Sequence, residues 1–313
     1  MTEPAPDLSV VIPVYRAQEC IQPLHDRLTR ALQDIGRTYE IVYVEDRSPD
    51  DSWRTLCEVI GSDPHARAIR MSRNFGQEAA TSAGLADARG TWIITMDCDL
   101  QDRPEDIARL LEPAFAGAPV VRARRAKEGS LFRRLSTRMY FALLNFMAGS
   151  HVDWRYAAFG VMTSSVRDAY LSVPDHNRNL LLVLDWLDFE TAEVDVAHDE
   201  RVAGTSAYTL RKLLKYALAG VLFQTTTPLR WIVYTGIFEA LLGVCFAVYI
   251  AIRYFTGQIT VAGWASLMVT VLICTGGLMV TVGIVGLYVG SVFDQVKLRP
   301  RYIEQERFVG GSQ

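Results

Sequence analysis

The sequence predicts a mostly parallel, doubly wound α/β sheet followed by a two-helix hairpin of membrane-spanning length. Three observations predict it. Short apolar, β-branched runs alternate with stretches of helical spacing through the first part of the chain, the pattern of strands joined by crossover helices. Those runs stop at polar or acidic residues, which puts chemistry at the carboxyl ends of the strands, where open α/β sheets bind ligands. Beyond Leu229 come two long apolar stretches, each exceeding the roughly 20 residues a helix needs to cross a bilayer.

The run Leu8 to Tyr15 is too short and too interrupted by proline for a signal peptide, and no basic segment precedes it, so it reads as the first strand. Helical spacing covers Ala17 to Ile35. Tyr39 to Val44 is a second strand ending in Glu45 and Asp46. Ser48 to Asp51 supply helix-start residues, with Pro49 at an early position, for a helix running to about Ile60. Ala68 to Met71 is a third strand, Gly76 to Ala88 a helix of small residues, and Trp92 to Met96 a fourth strand. A helix from about Glu105 to Phe115 leads to a strand at Pro119 to Val121 ending in Arg122, Arg124 and Arg125.

Pro13 to Tyr15, Glu45 and Asp46, Ser72 to Asn74, and Asp97 to Asp99 all fall at strand ends, so one crevice would collect them. The sharpest signal is the pair Asp97 and Asp99 after the fourth strand. An i, i+2 spacing in extended backbone puts both carboxylates on one face, where they repel unless a cation lies between them. Hard oxygen ligands suit Mg²⁺ or Mn²⁺, ions that take further oxygens from a substrate phosphate. The alternative is a solvated turn after a buried strand.

Other classes drop out. No glycine-rich dinucleotide fingerprint opens the first helix and no phosphate-binding Walker loop occurs, which argues against a dehydrogenase or a P-loop enzyme. A net charge of −3 gives no general reason to expect nucleic-acid binding. The 5 cysteines have no Cys-x-x-Cys spacing, so neither a disulfide framework nor a zinc site is expected, and a reducing compartment fits the soluble part.

The second half points to a lipid surface. Ser130 to Met147 is basic first and apolar later, with Arg133 and Thr137 on one helical face beside Arg134 and Arg138; a solvated basic face and an interfacial helix are both open readings. Leu210 to Phe223, with Arg211, Lys212 and Lys215 on one side, reads as an amphipathic helix on a membrane. Trp231 to Ile252 and about Trp264 to Phe293 are the two spans. Basic residues before and after the pair outnumber the single Arg253 at its turn, so both ends are expected on the cytoplasmic face of the inner (plasma) membrane. Glu239 is expected at a helix interface or among the polar headgroups rather than the lipid tails, and Gly283, Gly286 and Gly290 at close helix contacts or in a homo-oligomer. The expected division is a catalytic domain over 1–208, an amphipathic segment over 209–228, the hairpin over 229–296 and a tail over 297–313, in which the residues after Arg301 carry no readable signal.

The stretches VVIPVY, VEDRS, SRNFGQEAA, Ala83-Gly84 and MDCDLQDRPE, in that order, resemble the family-two glycosyltransferases of GT-A fold. The DLQ extension and the SRNFG block narrow the resemblance to the polyprenyl-phosphate glycosyltransferases, the group with dolichyl-phosphate mannose synthase and the undecaprenyl-phosphate sugar transferases. It implies inverting transfer of a sugar from a UDP- or GDP-sugar to a polyprenyl phosphate at the bilayer. It implies that Pro13, Tyr15 and Asp46 contact the nucleotide, that Asp97 lies beside the sugar diphosphate, and that Asp99 with Gln101 holds the metal. Arg122, Arg133 and Thr137 are the implied partners of the acceptor phosphate, with Arg201, whose planar fork suits phosphate. Asp46 as a cap of the next helix, and Pro13 and Tyr15 as edge packing, are the plainer alternatives. His198 reads as a lone surface histidine.

This chain departs from the family pattern at Glu45 (usually Asp), Arg47 (usually Gly), Ala158 (acidic in many relatives) and Ala207 (usually Lys). Loss of an acid at 158 is tolerable because a phosphate monoester is already largely anionic near neutral pH; Asp153 is a possible substitute. Transfer to a lipid hydroxyl, which would need a base more strictly, and a non-catalytic membrane scaffold are the competing readings. Processive polysaccharide synthesis is disfavoured, because Gln224 and Arg230-Trp231 are too far apart for that group's Gln-x-x-Arg-Trp mark.

Overall fold

The computed structural model describes residues 4–125, 156–175, 178–196, 227–256, 263–297 and 299–311. It divides into two compact units, a sheet with its flanking helices and a pair of long helices. In chain order the first unit contains β1 (Leu8–Val14), α1 (Gln18–Ile35), β2 (Tyr39–Glu45), α2 (Ser52–Ile60), β3 (Ala66–Met71), α3 (Gln77–Asp87), β4 (Trp92–Thr95), α4 (Ile107–Phe115), β5 (Val120–Arg125), β6 (Tyr156–Thr163), α5 (Ser164–Ser172), α6 (Leu180–Trp186) and β7 (Thr191–Val196), and closes with β8 (Glu304–Val309). The second unit holds α7 (Thr227–Phe255) and α8 (Trp264–Val296).

The strands form one sheet in the order β7-β5-β6-β4-β1-β2-β3-β8. β1 pairs in parallel with β2 and β4, β2 with β3, and β5 with β7. β6 runs antiparallel between β4 and β5, and β8 antiparallel beside β3. The mostly parallel doubly wound sheet is therefore present. Its central strands read as unbroken apolar runs because both faces are covered. From β1, Val10, Ile12 and Val14 join Leu24 and Leu28 of α1 and Leu110 of α4 in one core, while Val11 joins Ala80 and Ala83 of α3 in the other. Gly84 lets α3 lie directly on β1, since a side-chain carbon there would collide with Val11 Cγ1.

Several boundaries differ from the sequence expectation. α2 begins at Ser52, because Ser48 N donates to Glu45 Oε1 in a turn that puts Arg47 at φ 52°. β5 starts one residue later than expected, at Val120, and ends in Arg122, Arg124 and Arg125 as expected; Arg124 is clamped by Glu193 (2.7 Å) and Asp195 (2.6 Å) of β7. β6, β7 and β8 were not expected as strands.

α7 and α8 are 29 and 33 residues long, and many of their described large apolar side chains, such as Phe238 and Met279, are exposed. Over the described residues no helix is long and apolar enough to cross a membrane; several side chains inside each helix, Glu239 among them, lie outside that description. Gly283, Gly286 and Gly290 have no neighbour within 4 Å of where a side chain would begin, among the described residues. Arg133, Thr137, Asp153, His198, Arg201 and Ala207 lie outside the described residues, as does the amphipathic segment Leu210 to Phe223.

Candidate active site

The carboxyl ends of β1, β2 and β4 are neighbours in the sheet, and the loop after β3 lies beside them. Pro13 is half-buried and Tyr15 is 45% exposed at the end of β1. Three residues after these ends, Arg16 (φ 52°), Arg47 (φ 52°) and Leu100 (φ 61°), occupy the left-handed region. That conformation is uncommon for non-glycine residues, and backbone strain of this kind gathers at functional sites.

Asp46, at the end of β2, is 2% exposed. Its Oδ1 accepts from Phe75 N (2.7 Å) and its Oδ2 from Gly76 N (2.8 Å), while Asn74 Nδ2 donates to the Asp46 carbonyl at 3.2 Å. Burial raises its pKa, and the two amide hydrogen bonds partly offset that. Asp46 is not the cap of α2, whose N-cap is Asp51; it pins the loop that enters α3 at Gly76, a position whose φ of 98° favours glycine.

Asp97 and Asp99 are half-buried past the end of β4, with Cys98 between them turned into the core. The exposed Gln77, on the first turn of α3, donates Nε2 to Asp97 Oδ1 at 2.7 Å. Gln101 N donates to Asp99 Oδ1 at 3.1 Å, folding the chain back through the left-handed Leu100 so that Gln101 follows closely on Asp99. Among the described residues no group of three or more His, Cys, Asp or Glu side chains is placed to hold a metal. Asp99 and Gln101, with Asp97 nearby, nevertheless fit a hard divalent ion of the Mg²⁺ type. Such ions take one or two carboxylates and complete their shell with substrate phosphates and water.

Two further residues lie near the crevice, Glu78, to which the sequence assigned no role, and Arg122. Glu78, half-buried next to Gln77, accepts from Asn179 Nδ2 (2.7 Å) and Leu180 N (3.1 Å) at the start of α6. Burial, reinforced by the charge of Asp97, pushes its pKa up to about 7 against those hydrogen bonds. Its position inside SRNFGQEAA was the available signal. Arg122 is buried, with its guanidinium 5.0 Å from the Tyr156 ring centre and 4.0 Å from Asp185. Its Nε has no hydrogen-bond partner among the described residues, and burial lowers its pKa. It lines a small cavity with Thr95, Ala158, Phe159, Leu180 and Leu184, in which Thr95 Oγ1 donates to the Ala158 carbonyl at 2.6 Å.

Residues 9–170 match the family described as glycosyl transferase family 2. The chain belongs to glycosyl transferase family 2. This family-2 glycosyltransferase is 35% identical over 321 residues to the undecaprenyl-phosphate 4-deoxy-4-formamido-L-arabinose transferase of Yersinia pestis (strain Pestoides F), covering 100% of this chain and 97% of that one. It is 32% identical to the uncharacterized glycosyltransferase YkcC of Bacillus subtilis (strain 168), covering 96% of this chain and 94% of that one. Among solved structures it resembles the glucosyl-3-phosphoglycerate synthase of Mycobacterium tuberculosis in complex with Mg²⁺ and uridine diphosphate. That match has a TM-score of 0.53 at 18% identity and covers 70% of this chain and 79% of that one. A likeness at this identity concerns the fold.

Proposed function

We propose that this glycosyltransferase moves a sugar, with inversion, from a nucleotide-diphosphate sugar to a polyprenyl phosphate at a membrane. The observation that carries the reading is the placement of Asp46 after β2 and of Asp97 and Asp99 after β4, the two strands that flank β1, in a chain matched end to end by a transferase named for undecaprenyl phosphate. Pro13 and Tyr15 would flank the nucleotide. Asp46 sets the loop beside it, Asp97 orients the sugar diphosphate, and Asp99 with Gln101 would hold Mg²⁺ or Mn²⁺. When bound, the ion supplies positive charge against the departing diphosphate.

An acceptor phosphate oxygen forms a bond to the anomeric carbon from the face opposite the diphosphate. The bond from that carbon to the diphosphate oxygen breaks, and its electron pair leaves with the nucleoside diphosphate. The acceptor is already largely anionic, so positioning and charge matter more than a base, which accords with Ala158. Arg122 beside the end of β4, together with Arg133, Thr137 and Arg201, would hold the acceptor phosphate.

The membrane placement rests on sequence: the apolar segments 231–252 and 264–293 have spanning length, and basic residues flank the pair. The exposed apolar side chains of α7 and α8 accord with it, because large exposed apolar patches mark contact with lipid or protein. Both chain ends and the sheet then face the cytoplasm.

Purified full-length protein in detergent, given undecaprenyl phosphate and a panel of UDP- and GDP-sugars, tests the reading. The expected product is a lipid-linked sugar phosphate cleaved by mild acid. An acid-resistant glycoside would establish a hydroxyl acceptor instead, and the absence of product from every donor would contradict the proposal.

A further inference from the structure

The residues after α8 return to the sheet as β8, and their contacts gather around the segments that carry the donor residues. β8 pairs with β3 with a register shift between Arg70 and Met71: Glu306 opposes Arg70 and Glu304 opposes Met71, leaving Gln305 as the extra residue of a bulge. Bulges re-aim side chains, and here the bulged Gln305 accepts from Arg47 Nη1 at 2.7 Å. Arg47 is the left-handed residue between Asp46 and Ser48.

The next residue of β8 acts one layer deeper. Glu306 lies 3.8 Å from Arg70 Nη1, and Arg70 Nε donates at 3.2 Å to the fully buried Glu45, whose other oxygen closes the turn at Ser48. On the adjoining loop, Ser72 N donates to the Ile303 carbonyl at 2.9 Å, just before the residues whose amides Asp46 binds. Beyond β8 the chain is anchored by Gly310 N to the Ala66 carbonyl and Gly311 N to the Gly61 carbonyl, both 2.9 Å. Gly310 lies so close to the carbonyls of Ile60 and Asp63 that no side chain fits.

We propose that β8 is a positioning element of the donor site. Gln305 and Glu306 hold the 45–48 turn, and the Ile303 carbonyl holds the 72–76 loop, in the geometry that receives a nucleoside diphosphate. The inference rests on the donor-site reading above. It makes the C-terminal segment, which follows directly on the second long helix, a part of substrate recognition rather than a tail.

The test uses the full-length chain. UDP and GDP binding with Mn²⁺ is measured by calorimetry, and steady-state kinetics with the matching sugar nucleotide, for wild type, the double variant Gln305→Ala/Glu306→Ala, Gln305→Glu, and Arg307→Ala. Arg307 reaches Asp87 at 2.7 Å, away from the turn, and serves as the control for mere strand attachment. The double variant is expected to weaken nucleotide binding and raise KM about fivefold to tenfold, the scale of one or two hydrogen bonds, with kcat little changed. Gln305→Glu, which keeps an acceptor for Arg47, should bind as wild type does, and Arg307→Ala should lower Tm without changing affinity. If wild type binds UDP or GDP and the double variant binds it equally well, the positioning role is wrong while the donor site stands. Failure of wild type itself to bind either nucleotide would remove the donor-site reading and this inference together.

Discussion

The ends of β2 and β4 look alike as sequence, each an apolar strand running into acidic residues, yet they use their carboxylates differently. At β2 the Asp46 carboxylate is buried, and both oxygens are engaged by the amides of Phe75 and Gly76. At β4 the carboxylates are half-buried, and hydrogen bonds from Gln77 and from Gln101 N orient one oxygen of each. The first arrangement builds the wall of a site and the second offers charge to it. An acid at a strand end is therefore ambiguous until its hydrogen-bond donors are known, because saturation by backbone amides turns a candidate ligand into a brace.

The largest effect should come from the β4 end. Asp99→Asn is expected to lower divalent-ion-dependent nucleotide release by about 100-fold or more, the scale of losing one preorganised electrostatic contact, with Tm close to wild type; loss of folding instead would make Asp99 a brace as well. At the β2 end the sign of the comparison reverses. Asp46→Ala leaves two amide donors without their partner and should cost about 1–3 kcal/mol of stability, read as a lowered Tm, before any effect on turnover is counted. An unchanged Tm would mean that those amides find other acceptors and that the two ends are not so different. Gln77→Ala removes an exposed hydrogen bond, so roughly a twofold to tenfold drop in kcat/KM is expected, with stability unaltered.

The smallest effects are pH dependences, and two buried or half-buried glutamates should give opposite signs. Glu40 is desolvated, but hydrogen bonds from Arg67, Ser9 and Arg89 N outweigh that and hold its pKa at about 2, below the ordinary 4.5. Its contribution is fully present above pH 4.5 and is lost as pH falls through about 2. Glu78, raised from 4.5 to about 7, does the reverse: its contribution is present below pH 4.5 and fades as pH rises through about 7. Melting curves from pH 3 to 8 on Glu40→Gln and Glu78→Gln separate the two. The first substitution should flatten the acid limb and the second the limb approaching neutrality; a Glu78→Gln profile that still parallels wild type above pH 5 would show that this carboxylate does not titrate there.

The parallel part of the sheet was legible because β1, β2 and β4 are covered on both faces and must be apolar throughout, so their sequences announce both the strand and its end. β8 was not legible for the opposite physical reason. Glu304 to Arg307 are exposed, and an edge strand carries charge that discourages further pairing, so an apolar-run criterion passes over it. The helix-start residues Ser48 to Asp51 do contain the N-cap of α2, which is the last of them, Asp51; Ser48 does not cap the helix because its Oγ accepts from Arg16 N at 3.1 Å. Around the candidate site, the positions of Asp46, Asp97 and Asp99 past strand ends were legible, but Gln77, Glu78 and Arg70 have partners far away in sequence, which no local pattern encodes. Arg47, at a position where the resembled family usually has glycine, adopts the left-handed φ of 52° that glycine favours.

The most direct test of the central claim is Mn²⁺ binding followed by electron paramagnetic resonance, with UDP or GDP added to wild type and to Asp99→Asn. Nucleotide together with wild-type protein should deplete the free Mn²⁺ signal well beyond what nucleotide does alone, and Asp99→Asn should abolish the excess. Equal depletion by the two proteins would contradict the claim.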